Sequence, residues 1–228
     1  MLSDIKVVFL DVDNTLLDFN ENAKLSLKLS MKEHGLEYKD GYFSVFKSIN
    51  DKLWKDVEKK VITRDKLHEI RFNLIFKELG ISFDGKVLEK TFLNTLNRCT
   101  VFVDGAMELV KYLSKKYILC SASNAPYVQQ IERLTNSGIM PYLKHTFISQ
   151  ELGVNKPDPR FFIKALERLD IKDKSKMVMI GDSLSADILG GINFGIKTVW
   201  FNFEKLEPPY KVKPDYIVNK LKEIEEIL

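Results

Sequence analysis

The 228-residue chain carries 35 Lys and Arg against 32 Asp and Glu, a net charge of +3, with 45% hydrophobic and 29% charged residues. That balance describes a globular protein with ample core material, and it excludes the strong basic field of a nucleic-acid-polymer or anionic-membrane binder, so an anionic ligand must be attracted locally. No stretch approaches the roughly 20 apolar residues of a bilayer span, the N-terminus does not read as a secretory signal, and Cys99 and Cys120 read as two reduced thiols, so a cytoplasmic location is expected.

The first element in chain order is an apolar run at 6–10, followed at once by Asp-Val-Asp-Asn-Thr at 11–15. Residues two apart in a strand point to the same side, so Asp11 and Asp13 converge where this strand ends. In parallel α/β sheets that is the edge where ligands bind. On this motif alone, one aspartate capping a helix and the other facing solvent is an equally good reading. Residues 20–98 then hold four helical stretches and no convincing strand. Apolar residues recur there at three- and four-residue spacing, as in Leu67, Ile70, Leu74, Ile75 and in Val87, Leu88, Phe92, Leu96. The block interrupts a pattern that resumes after it, and so reads as an insertion.

Further strand-like runs follow at 117–121, 146–149, 177–180, 198–201 and, more weakly, 216–218, with helical patterns at 105–115, 127–137, 160–169 and 183–194. Short, continuous apolar strands alternating with helices predict an α/β protein built on a doubly wound parallel sheet, with strand one central. Pro208-Pro209 marks a turn near the end.

Three later strand ends are polar. Ser123-Asn124 follows the second strand, and the ordinary role of such residues is to cap the helix beginning at Pro126. Lys156 sits in the proline-punctuated loop "ELGVNKPDPR", where a lone lysine is usually solvated. Asp182 and Asp187 stand in "GDSLSAD" after the fourth strand. Each ordinary reading is comfortable alone, but four polar turns on one sheet edge make a chemical set. Carboxylates without histidine or thiolate suit Mg²⁺. A hydroxyl, backbone N–H groups and an ammonium suit phosphate oxygens. An aspartate can attack phosphorus, and Mg²⁺ with Lys156 would offset a like-charge repulsion of about 4 kcal/mol per pair at roughly 4 Å.

These segments, in this order, resemble the motifs of the haloacid dehalogenase-like superfamily: D-V-D-N-T, then Ser123 with Asn124, then Lys156-Pro157, then Gly181-Asp182 through Asp187. The resemblance covers essentially the whole chain and implies roles. Asp11 is the implied nucleophile and a Mg²⁺ ligand, and Asp13 the general acid and base, its backbone carbonyl a second ligand. Asp182 is the implied third ligand, with Asp187 orienting Lys156 or a metal-bound water. Ser123, with Asn124, would bind the phosphoryl group, and Thr15 would brace the first loop. Dehalogenases lack an equivalent of Asp13, so a dehalogenase is not expected.

The resemblance also implies that residues 1–19 with 99–228 form the α/β core and residues 20–98 a helical cap that excludes water. The stretch "NDKLWKDVEKKVITRDKLHEIRF" resembles the cap of pyrimidine 5'-nucleotidases of the YjjG type, as does "DILGGINFGIKTVWFN". It makes Trp54 and Phe72 candidates to stack on a base, and Asn50 and Arg71 candidates to bind its edge. The ordinary reading keeps the two aromatics as cap core and the two polar residues as surface groups. The expected function is thus a Mg²⁺-dependent phosphatase acting through an aspartyl-phosphate on a small phosphorylated metabolite, foremost a nucleoside 5'-monophosphate. The expected state is a monomer or small homo-oligomer, with no nucleic-acid-polymer or membrane partner. Two alternatives stand beside it. One is a phosphatase for phosphoglycolate or a sugar phosphate. The other is a non-catalytic phospho-acceptor module, against which the length and the inserted block count.

Overall fold

A computed structural model describes residue 2, residues 4–207 and residues 211–228; the turn expected at Pro208-Pro209 lies outside these described residues. The chain divides into two compact units, one formed by Met1–Asp18 with Phe102–Leu228 and the other by Phe19–Val101.

The first unit opens with β1 (Val7–Leu10). The second contains α1 (Phe19–Glu33), α2 (Tyr42–Glu58), α3 (Arg64–Leu79) and α4 (Gly85–Arg98). The first unit then resumes with α5 (Ala106–Ser114), β2 (Ile118–Ser123), α6 (Tyr127–Asn136), β3 (His145–Ile148), α7 (Ser149–Leu152), α8 (Arg160–Glu167) and β4 (Met177–Gly181). A π-helical turn at Leu184–Ile188, α9 (Leu189–Phe194), β5 (Lys197–Phe201), β6 (Tyr216–Val218) and α10 (Ile224–Ile227) complete it.

The six strands form one parallel sheet in the order β3-β2-β1-β4-β5-β6, with β1 in the interior as the sequence predicts. All four β1 residues are buried, because helices cover both faces of the sheet. Alternation divides them: Val8 and Leu10 join Leu109, Val110 and Leu113 of α5 and Leu134 of α6, whereas Val7 and Phe9 join Phe161 and Phe162 of α8 and Phe194 of α9. Each such side chain contributes about 1.5–3 kcal/mol on burial, so the register of β1 is strongly fixed, and with it the position of the residues just past its end.

The helical unit has its own core, in which Leu27 and Met31 of α1, Phe46 of α2, Phe72, Ile75 and Phe76 of α3 and Leu88, Phe92 and Leu96 of α4 meet. Its two ends are clipped together by Asn22, whose Oδ1 accepts the Val101 N–H at 2.9 Å while its Nδ2 donates to the Val101 carbonyl at 3.2 Å. The apolar stripes read from the sequence need correction. Leu74 and Val87 are exposed, and the buried faces run Leu67, Arg71, Phe72, Ile75, Phe76 on α3 and Leu88, Glu89, Phe92, Leu96 on α4. A charged residue stands at the centre of each face, where a hydrophobicity pattern has no place for it.

Candidate active site

Past β1 the chain turns sharply. The N–H groups of Leu16 and Leu17 both donate to the Val12 carbonyl, each at 2.9 Å, and Asn14 takes a positive φ of 60°. Val12, Leu16 and Leu17 anchor this loop in the core, which leaves Asp11, Asp13 and Thr15 to the sheet edge. The loop stays tied to β4, because the Asp11 N–H donates to the Ile180 carbonyl at 2.9 Å.

Lys156 is the centre of charge. Its side chain is 1% exposed, and its ammonium donates to Asp11 Oδ1 at 2.9 Å, to Asp187 Oδ1 at 2.5 Å and to the carbonyl of Ala122. Burial alone would drive its proton off, but Asp11 and Asp187 more than offset that and hold the ammonium above its ordinary range. The solvated loop lysine of the ordinary reading is therefore ruled out. The loop is fixed from the second strand: Asn124 Oδ1 accepts the Lys156 N–H and its Nδ2 donates to the Lys156 carbonyl, both at 2.9 Å. Asn124 is thus a loop clamp and not a helix cap. Pro126 occupies the cap position of α6, without a side-chain cap bond.

Asp187 reaches back to Lys156 from the π-helical turn, and its Oδ2 accepts the Ser183 N–H at 3.0 Å. The carboxylate lies so close to Gly181 that a Cβ there would collide with it. Ser183 caps this turn, accepting the Ala186 N–H at 3.2 Å. Asp182 is held by its backbone, since Trp200 Nε1 donates to its carbonyl at 2.8 Å. Thr15 joins the two loops: its hydroxyl accepts the Asp182 N–H at 3.1 Å and has Asp182 Oδ1 at 3.4 Å and Asp11 Oδ2 at 3.5 Å as acceptors.

One carboxylate oxygen from each of Asp11, Asp182 and Asp187 lies within 4.8 Å of the other two. Burial, then the negative charges of Asp187 and Asp13, push the Asp11 carboxyl up to about 7 despite the pull of Lys156. Burial, with Asp11 and Asp187, likewise raises Asp182 well above the carboxylate range. Lys156 pairs with two of the three carboxylates, so the cluster, when fully ionised, carries an excess of two negative charges. An all-oxygen donor set with that excess fits one hard divalent cation such as Mg²⁺.

Asp13 is turned differently. Its carboxylate, 30% exposed, meets Arg133 Nη1 through Oδ1 at 2.5 Å and Gln130 Nε2 through Oδ2 at 3.1 Å. Gln130 Nε2 also donates to Ser123 Oγ at 2.9 Å, so Ser123, the last residue of β2, shares a partner with Asp13. Neither Gln130 nor Arg133 is anticipated by the sequence reading. Their i, i+3 spacing on α6 was the available signal, but it is indistinguishable there from a solvated helix face.

The remaining candidates belong to the helical unit. Phe72 is core, packed against Phe46, Phe76 and Phe92, and Trp54 is half-buried beside Leu53, Val57 and Leu67. The expectation of surface positions for Asn50 and Arg71 is corrected, since both are buried. Arg71 donates through Nε and Nη2 to Glu89, at 3.0 and 2.5 Å, and through Nη1 to Asn50 Oδ1 at 2.8 Å, and its guanidinium lies 5.0–5.6 Å from the ring centres of Phe46, Phe72 and Phe92. His68 Nδ1 adds a 2.8 Å contact to Glu89. The two cysteines are unbridged, as expected; Cys120 is buried, which pushes its thiol up to about 12. No helix among the described residues is long and apolar enough to cross a membrane.

A family model described as haloacid dehalogenase-like hydrolase matches residues 5–195. The chain is 35% identical to the pyrimidine 5'-nucleotidase PynA of Streptococcus pneumoniae, covering 98% of this chain and 94% of that protein. It is 30% identical to the pyrimidine 5'-nucleotidase YjjG of Escherichia coli, covering 97% and 96%. Among solved structures it superimposes on the HAD-hydrolase YfnB of Bacillus subtilis, described as putative and bound to magnesium, with a TM-score of 0.94, 32% identity and 99% coverage of both chains.

Proposed function

The chain belongs to the haloacid dehalogenase-like hydrolases, a phosphoric monoester hydrolase by its relatives, and on that premise we propose that it is a Mg²⁺-dependent nucleoside 5'-monophosphatase, selective for pyrimidine nucleotides, that works through an aspartyl-phosphate. The observation that carries the chemistry is the buried Asp11–Lys156–Asp187 ion network with Asp182 in the same oxygen cluster. The substrate class rests on two nearly full-length relatives, each described as a pyrimidine 5'-nucleotidase.

In this reading an Asp11 carboxylate oxygen attacks phosphorus, the bond from phosphorus to the ester oxygen breaks, and the leaving alkoxide takes a proton from Asp13. Water then attacks the aspartyl-phosphate, giving its proton to Asp13 while the bond from phosphorus to Asp11 breaks and inorganic phosphate leaves. Ser123 hydrogen-bonds the phosphoryl oxygens. Lys156 holds Asp11 in place and supplies positive charge to a site where two anions must meet. Mg²⁺, held by Asp11, Asp182 and the Asp13 carbonyl, would supply further positive charge for the phosphoryl oxygens. Thr15 and Asp187 fix the orientation of these groups.

The test is a comparison of kcat/KM, with Mg²⁺ saturating, for UMP, dUMP and dTMP against phosphoglycolate and hexose phosphates. The nucleotides are expected to lead by at least tenfold. Equal or better values for the small acid or the sugars would overturn the nucleotidase reading and leave the phosphatase standing.

A further inference from the structure

Arg133 is an expensive residue to bury. Its side chain is 3% exposed, yet only Nη1 is matched among the described residues, to Asp13 Oδ1 at 2.5 Å and to Gln130 Oε1 at 3.0 Å; Nε and Nη2 are buried without a hydrogen-bond partner. Unmatched buried donors destabilise a fold, and an apolar side chain at this position of α6 would pack beside the Leu134 core without that penalty. The contact with Asp13 is what the guanidinium achieves there. Gln130, fully buried, completes the arrangement: one amide nitrogen donates both to Asp13 Oδ2 and to Ser123 Oγ, while its oxygen receives Arg133.

We propose that Gln130 and Arg133 are positioning residues that hold the Asp13 carboxylate at both oxygens and tie it to Ser123, so that the proton-transfer group and the phosphoryl-binding hydroxyl move as one unit. The inference rests on the phosphatase reading and deepens it. Two contacts to two oxygens remove the carboxylate's rotational freedom about its terminal bond, and a proton donor must lie within hydrogen-bond reach of the ester oxygen to act. α6 is suited to the task because it starts four residues after Ser123 and presents positions 130 and 133 on one face, one turn in.

Leaving groups distinguish this role from a merely structural one. Nitrophenolate leaves without help, whereas an alkoxide needs the proton that Asp13 delivers. Because kcat/KM reports only steps up to release of the alcohol, it isolates that transfer from the later attack of water. Arg133→Met and Gln130→Leu, with Arg133→Lys as the conservative partner, are assayed with saturating Mg²⁺ on p-nitrophenyl phosphate and on a nucleoside 5'-monophosphate, after circular dichroism has confirmed the fold. The expected result is a loss of kcat/KM on the alkyl ester exceeding the loss on the aryl ester by tenfold or more, with partial recovery in Arg133→Lys. Equal losses on both esters, or no loss on either, would overturn the proposal, and Gln130→Leu decides alone if Arg133→Met does not fold. A wild-type protein inactive on both esters would instead remove the phosphatase premise, and this proposal with it.

Discussion

Glu89→Gln should unfold the helical unit far more readily than a change of one oxygen for one nitrogen suggests. Glu89 and Arg71 have side chains 7% and 2% exposed, joined by two hydrogen bonds of 3.0 and 2.5 Å. The glutamine is nearly isosteric, so no cavity opens; what changes is that a guanidinium stays buried with no counter-charge. Charge centres roughly 4 Å apart attract by about 4 kcal/mol at an effective dielectric of 20, and breaking a buried pair by removing one partner costs about 3–5 kcal/mol. The cation–π contacts with Phe46, Phe72 and Phe92 are present in both proteins and cancel in the difference. A loss of about 3 kcal/mol, roughly 6–12 °C in Tm for a chain of this size, should appear in urea and thermal unfolding followed by circular dichroism. Replacing the pair together, as Glu89→Leu with Arg71→Met, should restore most of the loss, because two apolar residues of similar volume carry no desolvation debt.

The same pair sets a pH signature. Burial pushes Glu89 up, but Arg71 and His68 outweigh it and leave the carboxyl net below its usual value. A depressed carboxyl adds stability that is fully present above its unfolded pKa of about 4.3 and is lost as pH falls through the lower folded value. The wild type should therefore lose stability below about pH 4 more steeply than Glu89→Gln, and the two curves should converge in acid. A loss under about 1 kcal/mol in Glu89→Gln, or a double variant no better than the single, would refute the reasoning.

Asp11→Asn should abolish turnover while leaving the circular dichroism spectrum unchanged, because an amide does not attack phosphorus; wild-type kcat in that variant would sink the nucleophile assignment. EDTA should silence the enzyme and Mg²⁺ restore it, and Mg²⁺ bound at Asp11 and Asp182 should raise the Tm of the chelated protein by offsetting the charge they concentrate beside Asp187; a Tm indifferent to Mg²⁺ would count against Asp11 and Asp182 as metal ligands. Gly181→Ala should displace Asp187, since the added methyl collides with its carboxylate, at about 1–3 kcal/mol of stability and at least a tenfold loss of kcat. An active, stable Gly181→Ala protein would show that the Asp187–Lys156 contact is dispensable.

The sheet was legible because its interior strands are buried on both faces, which writes them as apolar runs, while the edge strand β6, with Ile217 exposed, gave the weaker signal; the six expected runs lie within a residue or two of the observed strands. The polar strand ends were legible for a related reason, since carboxylates directly after such runs have no place in a core. What escaped was polar burial inside helices. Gln130 and Arg133 sit at the spacing of a helix face, and only the approach of Asp13 from a loop more than a hundred residues earlier makes that face an interior one. Arg71 and Glu89 escaped for the same reason, each being the other's condition for burial. The helix expected over 183–194 instead begins with a π-helical turn, in which the Ile188 N–H donates five residues back to the Ser183 carbonyl at 3.1 Å. One wider turn shifts every later side chain around the axis, and here it accompanies the placement of Asp187 against both Lys156 and the Ser183 N–H. Local propensity does not encode such a turn; its sequence trace is the glycine at 181, whose missing side chain leaves the space that Asp187 fills.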